Sequence, residues 1–186
     1  ISEYTDPGDT ILDVFAGSGA VSFTLARNYN VLANDVESYS ATINKALLGN
    51  NEMQEEEIIE ILDKASAHFV KLSGRDSLRS YLMKEDQYLE SKDLQEILDL
   101  YNKYPTIWNT PSLTPENLRN SGSYDLFTKY YAGSYFGIKQ AMEIDSLIYV
   151  IREGNFDIDF LYSCLFYAMK ETVFSKDGHM AQPLNF

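Results

Sequence analysis

The chain has 186 residues, 45% hydrophobic and 23% charged, the composition of one globular domain and not of a disordered acidic tail. Fifteen Lys and Arg against twenty-eight Asp and Glu leave −13, which argues against a surface made simply to neutralise phosphate, and one cysteine, Cys164, excludes an internal disulfide framework. No apolar run reaches the roughly eighteen residues of a membrane span and no basic-then-apolar leader precedes Ile1, so no membrane partner is expected and the expected compartment is the cytoplasm.

Asp6-Pro7-Gly8-Asp9 is a turn that leads into the apolar run Thr10 to Phe15, the pattern of a buried strand. Ala16-Gly17-Ser18-Gly19 follows, then a helical stretch from Ala20 to Arg27 with Val21, Phe23 and Leu25. Asn28-Tyr29-Asn30 breaks it before a second strand, Val31 to Asp35. Strand, glycine turn, helix and strand ending in an acid predict the start of a nucleotide-binding α/β sheet. Glycines at the turn let backbone approach a ligand, and the helix behind it presents free N–H groups. Asp35, sixteen residues beyond Gly19, is placed to accept hydrogen bonds from a ribose diol. The dinucleotide fingerprint needs a third glycine, and Ser22 stands there instead, which disfavours a pyrophosphate. Asp13, four residues before Gly17, also repels a pyrophosphate but suits the ammonium of an amino-acid moiety. S-adenosylmethionine carries that ammonium, a ribose diol and an adenine, with no phosphate. The plainer alternative is that Asp13 caps a turn and the glycines only relieve strain.

Residues 51–100 carry −7 of the net charge, against −4 over 1–50 and −2 over 101–186. Ile58, Ile61, Leu62, Ala65, Phe69 and Leu72 trace one amphipathic helix, and Leu94, Ile97, Leu98 and Tyr101 a shorter one. Their acidic faces read as solvated surface, with a protein-binding or DNA-mimicking face as the alternative. Pro105, Pro111 and Pro115 mark a connection over 104–123, in which Thr114 caps a short helix with Pro115 at its first position. Lys129, Lys139, Tyr130, Tyr131 and Tyr135 then mix cations with flat aromatics, a combination suited to nucleic-acid contact, although tyrosines beside apolar helices also read as core edge. In the helix beginning near Tyr135, Ile144, Leu147, Ile148 and Ile151 form one face. Asp145 is expected at its border, accepting a hydrogen bond from a neighbouring helix. Phe160 to Met169 predicts a central buried helix with Cys164 as an inert core thiol. Two histidines 111 residues apart give no zinc spacing; His68 reads as structural, and His179 follows Gly178 in a turn.

Asp-Val-Phe-Ala-Gly-Ser-Gly at 13–19 resembles the cofactor motif of class I methyltransferases. Asn34 to Ser40 with Asn44-Lys45-Ala46-Leu47 resembles the second cofactor motif of Dam-like N6-adenine DNA methyltransferases of restriction-modification systems. Tyr135-Phe136, Gln140-Ala141 and Glu143-Ile144-Asp145, then Gly178 to Leu184, resemble later segments of that family. The resemblance implies an α/β fold: part of a Rossmann-like class I methyltransferase sheet with a largely helical insertion. The segments expected are 1–50 for the cofactor-binding start, 51–122 for the acidic helical insertion and connection, and 123–186 for helices packing on the core with a DNA-facing part. It implies S-adenosylmethionine as cofactor, with the loop Phe15, Ala16, Gly17, Ser18 and Gly19 around its methionine part, Asp13 beside it, Asp35 on the ribose and Val36 against the adenine. Double-stranded DNA is the implied substrate, touched by Lys129, Tyr135 and Lys139, and a cognate restriction endonuclease the implied partner; His179 gains a modest substrate role by resemblance alone. Two departures stand out. The five prolines, at 7, 105, 111, 115 and 183, include no adjacent pair, so the family's catalytic Asp/Asn/Ser-Pro-Pro-Tyr/Phe is absent and the chain reads as cut at both ends, inactive alone. Ile148 stands where the family favours arginine. The competing readings are a class I methyltransferase acting on RNA or a small molecule, and a non-catalytic acidic interaction module on a methyltransferase core.

Overall fold

The computed structural model describes residues 3–49, 51–120 and 122–175, so the expectations on Gly178 to Leu184, His179 among them, lie outside the described residues. The chain divides into two compact units, 1–53 with 155–166, and 54–154 with 167–186.

In the first unit, β1 (Thr10–Asp13) and β2 (Asn30–Ala33) pair in parallel, in register from Thr10 opposite Asn30 to Asp13 opposite Ala33. The entering turn is tied to the start of β2, since the Gly8 amide donates to the Asn28 carbonyl at 2.8 Å and the Asn30 side chain to the Gly8 carbonyl at 2.7 Å. Between the strands lies α1 (Ala20–Leu25), and α2 (Ser38–Leu48) follows β2. The Rossmann-like expectation is corrected to this extent: among the described residues the sheet has two strands, and the rest is helical. The strands are also not buried on both faces. Ile11 and Val31 are half-buried, whereas Leu12 and Leu32, paired on the opposite face, are each 59% exposed. Successive side chains alternate faces, and nothing among the described residues covers the second one. The start of α9 (Ile158–Thr172) belongs to this unit: Ser163 Oγ donates to the Thr42 carbonyl at 3.3 Å and Lys45 bridges Asp159 at 3.1 Å.

The second unit holds α3 (Glu55–Ser73), α4 (Asp76–Ser91), α5 (Leu94–Lys103), α6 (Pro115–Asn120), α7 (Leu126–Tyr130) and α8 (Ile138–Glu153), with the end of α9. Helix α3 starts on a capping box, Gln54 with Glu57, and buries Ile61, Ala65 and Leu72, three positions of the predicted stripe. Thr114 Oγ1 accepts from the Asn117 amide at 3.1 Å with Pro115 first in α6, as the residue order predicts. The core gathers Tyr104, Phe136, Ile138, Met142 and Val150, all at most 2% exposed.

Three carboxylates are as deeply buried, Glu85, Asp125 and Asp145, and two of them serve helix starts. Glu85 of α4, 1% exposed, accepts from the Ile138 and Lys139 amides at 2.7 and 2.8 Å and from the Tyr101 hydroxyl at 2.8 Å. It thereby satisfies the free N–H groups that begin α8. Asp145 of α8, 1% exposed, does the same for α7, accepting from the Phe127 and Thr128 amides at 2.9 and 2.7 Å. Asp145 is therefore fully buried and not at the border of the apolar face, although its expected role as acceptor from a neighbouring helix is what it performs.

Helix α9 is half-buried and not central. Leu165 and Met169 are buried, Tyr167 is 51% exposed, and Cys164, expected in the core, is exposed. Its near-continuous apolar run places apolar groups on every side of the helix, and one side is covered among the described residues. Partial desolvation still pushes the Cys164 thiol up, so it stays protonated at neutral pH. No helix among the described residues is long and apolar enough to cross a membrane.

Candidate cofactor site

Beyond Asp13 the chain leaves the β-ladder and forms a loop that ends on Gly19, the residue preceding α1. Gly17 and Gly19 both have positive φ, 50° and 77°. A Cβ on Gly19 would sit 2.8 Å from Leu47 Cδ1 and 2.9 Å from Asn44 Oδ1, so glycine is demanded by packing as well as by backbone conformation. At Gly17 a Cβ would meet only the Phe15 carbonyl, at 3.9 Å: this backbone faces open space, where a ligand can approach.

Gly17 is gripped from two sides. Its amide donates to Asp35 Oδ2 at 2.8 Å, and its carbonyl accepts from Ser40 Oγ at 2.6 Å and Asn44 Nδ2 at 3.2 Å. Asp35 Oδ1 accepts from the Glu37 amide at 3.0 Å. Hydrogen bonds from the Glu37 and Gly17 amides hold the Asp35 carboxyl below the usual carboxylate range, against a smaller opposing effect of desolvation. The ionised form, with lone pairs beyond those two bonds, is the one that accepts hydrogen bonds from a diol.

Asp13 is oriented by Ser22, whose hydroxyl donates to Oδ2 at 2.7 Å from a fully buried position. The serine at the third-glycine place thus has a structural purpose: it fixes the direction of the strand-end carboxylate. Asp13 is not the turn cap of the plainer reading. Against the same loop, from α2, lies a buried polar atom without a partner among the described residues, Asn44 Oδ1. An unpaired buried acceptor is costly.

The remaining loop candidates divide by exposure. Ala16 and Gly19 are buried, Ser18 is exposed, and Phe15 and Val36 are 88% and 95% exposed, apolar surface held out beside the glycine loop. The DNA candidates lie in the second unit. Lys129 Nζ bonds Asp125 at 2.6 Å, Lys139 bridges Asp86 at 3.6 Å, and Tyr135 packs edge-on against Tyr131. Burial pushes Asp125 up, but Lys129, Ser123 and Arg75 together outweigh it and hold the carboxyl below its usual range. Ile148, the other departure, lies half-buried in α8. His68 is stacked on Tyr149 at 4.1 Å with Nδ1 3.1 Å from Ser146 Oγ, beside a cavity of about 400 Å³ that Lys64, Lys71 and Glu153 also line. Burial, reinforced by Lys71 and Arg75, pushes its imidazole below the ordinary value, which suits the structural role read for it. Sequence reasoning passed over Ser22 and Ser40 as site residues; the departure from the glycine fingerprint was the signal for the first.

A strand-to-helix loop with two left-handed glycines, clamped by an acid just past the next strand, is the local arrangement with which nucleotide-binding α/β folds begin. Residues 1–171 match the family of D12 class N6 adenine-specific DNA methyltransferases, and the chain belongs to that family. DNA is the substrate and adenine methylation the reaction of that family, which brings with it the class I methyltransferase fold. Comparison with curated proteins and with solved structures gave no match.

Proposed function

We propose that this chain supplies the S-adenosylmethionine site of an enzyme that methylates the N6 amino group of adenine in DNA. The observation that carries the reading is Gly17, whose backbone is clamped by Asp35 on one side and by Ser40 and Asn44 on the other while its Cα faces open space. A ligand can approach such a backbone closely, and no hydrogen bond of the loop among the described residues comes from a basic side chain.

The residues fit the group. Asp13, aimed by Ser22, takes the ammonium; the loop Phe15 to Gly19, with Ser18 at its tip, cradles the methionine part; Asp35 takes the ribose diol; and Val36 covers the adenine. Asn44 Oδ1 is a buried acceptor in the wall of the same loop. When bound, S-adenosylmethionine supplies an electrophilic methyl group. The amino nitrogen of a base drawn from the duplex is a weak nucleophile, so positioning and exclusion of water dominate and late proton loss suffices. Asp13 and Asp35 bind; no residue of this chain activates the base, because the Pro-Pro-Tyr-type motif is absent. Lys129, Tyr135 and Lys139 are the DNA contacts of this reading, with both lysines already ion-paired, and a cognate restriction endonuclease is its partner.

Calorimetry with S-adenosylmethionine and its demethylated product tests the site. Binding is expected to weaken at least about tenfold in Asp35→Ala, the loss of a charge-assisted hydrogen-bonding pair. Absence of binding by the native chain, or an Asp35→Ala variant that binds equally well, overturns the reading. Methyl transfer to DNA by the 186-residue chain alone is expected to be nil, and detectable transfer would show that the base-activating groups are present after all.

A further inference from the structure

The connection between α5 and α6 carries the chain's single tryptophan, Trp108, and leaves it 67% exposed. Its position is built, not incidental. The indole Nε1 donates to the Tyr130 carbonyl at 3.1 Å, and the adjacent Ile107 amide donates to the Lys129 carbonyl at 3.0 Å. Asn109 closes the turn on the other side, accepting from the Thr106 amide at 2.8 Å and donating to the Tyr104 carbonyl at 2.7 Å. Behind the indole runs a series of half-buried rings: Trp108 to Tyr130 at 4.8 Å, Tyr130 to Tyr131 at 4.6 Å and Tyr131 to Tyr135 at 5.6 Å. A large aromatic fixed in this way has little rotamer freedom left to lose on contact.

Two further facts select the ligand chemistry. The indole N–H is already committed to Tyr130, so the ring has no donor for a base edge and offers its π face instead, which suits stacking without sequence readout. Between Tyr104 and Tyr124 the sequence has one acid, Glu116, and one base, Arg119, so the connection that carries Trp108 is itself neutral although the chain as a whole carries −13.

We propose that Trp108 is a stacking platform for an unpaired base of DNA, the outer end of a contact surface that continues through Tyr130, Tyr131 and Tyr135. It rests on the DNA-methyltransferase reading, in which drawing the adenine out of the duplex leaves bases without stacking partners. Within that reading it adds a contact outside the cofactor loop and outside the lysine pair.

Because Trp108 is the only tryptophan, its emission reports the contact directly. The 186-residue chain is titrated with three oligonucleotides: a paired duplex, the same duplex with an abasic position opposite one adenine, and a single strand. A fluorescent label on the DNA gives binding independently by anisotropy. Expected are quenching of Trp108 emission and about tenfold tighter binding of the abasic duplex than of the paired one, the contribution of one stacked base. Trp108→Ala should lose that preference and Trp108→Phe, read by anisotropy, should keep most of it, with unchanged circular dichroism in both. Anisotropy that shows DNA bound while emission and the abasic preference do not respond overturns the platform and leaves the function standing. No anisotropy change with any oligonucleotide overturns both.

Discussion

Asp35 and Glu85 accept the same kind of hydrogen bond and are put to opposite uses. Each receives two backbone amides, Gly17 and Glu37 in one case, Ile138 and Lys139 in the other. Asp35 does so half-buried, beside the glycine loop. Glu85 does so inside the helical unit, 1% exposed, where the Tyr101 hydroxyl takes much of what remains. A carboxylate saturated by a helix start and a hydroxyl is structure; one that is only half-buried keeps acceptor capacity for a ligand, the use proposed for Asp35.

Removing Glu85 should break this contrast most strongly. Glu85→Leu leaves two buried donors and one part-buried donor without an acceptor, and breaking such a buried charged network costs about 3–5 kcal/mol, the loss expected in urea unfolding. A loss below about 1 kcal/mol would show that α8 starts without help from α4.

The glycine loop gives the next effect. Gly19→Ala forces a left-handed alanine whose Cβ lies 2.8 Å from Leu47, for an expected cost of about 2–3 kcal/mol in thermal unfolding. Gly17→Ala has space around its Cβ and should cost about 1 kcal/mol, from backbone conformation alone. Equal costs would mean that the two glycines do not differ in packing.

Asp145 sharpens the comparison through pH. Burial, only partly offset by the Thr128 and Phe127 hydrogen bonds, pushes its carboxyl up to about 6 from 3.8. A folded-state pKa above the unfolded one means stability that is fully present at low pH and lost as pH rises through the folded value. Relative to Asp145→Asn, the native chain should therefore lose about 2 kcal/mol between about pH 4 and about pH 6 in denaturant titrations. Parallel pH profiles for the two proteins would refute the shift.

The smallest effect is at His68, where the sign reverses. Its folded-state value is lowered from 6.5, so stability is present above that pH and lost as pH falls below it. In a half-exposed position the loss is a few tenths of a kcal/mol, and His68→Gln should flatten it. An unchanged acid slope in the variant would place the effect on other groups.

The first fifty residues were largely readable from their order. Asp13, the two glycines and Asp35 are local signals, and the loop geometry follows from them. Helix α4 was not singled out, because its apolar stripe of Leu78, Tyr81 and Leu82 continues into Glu85, where an apolar residue would be expected. A carboxylate in a stripe reads as solvated until the chain brings Ile138, Lys139 and Tyr101 around it. The exposure of Cys164 was misread for the converse reason, since an all-apolar helix does not announce which side is covered.

What the sequence by itself determined is therefore the strand, glycine turn, helix and strand around the glycine loop, the α3 stripe and the capped start of α6, all set by residues within a few positions of one another. Tertiary structure alone decided which acids are buried, which lysines are ion-paired, that Ser22 aims Asp13, and that Trp108 is held outward on Tyr130. Most of the partners in those contacts are far apart in the chain, nine residues for Ser22 and Asp13, twenty-two for Trp108 and Tyr130 and fifty-four for Lys139 and Glu85, and no local propensity encodes a partner at such distances; Lys129 and Asp125, four apart, are the local exception. The hydrogen-bonding need of a helix start or a buried carboxylate is local, but the group that meets it is chosen by packing.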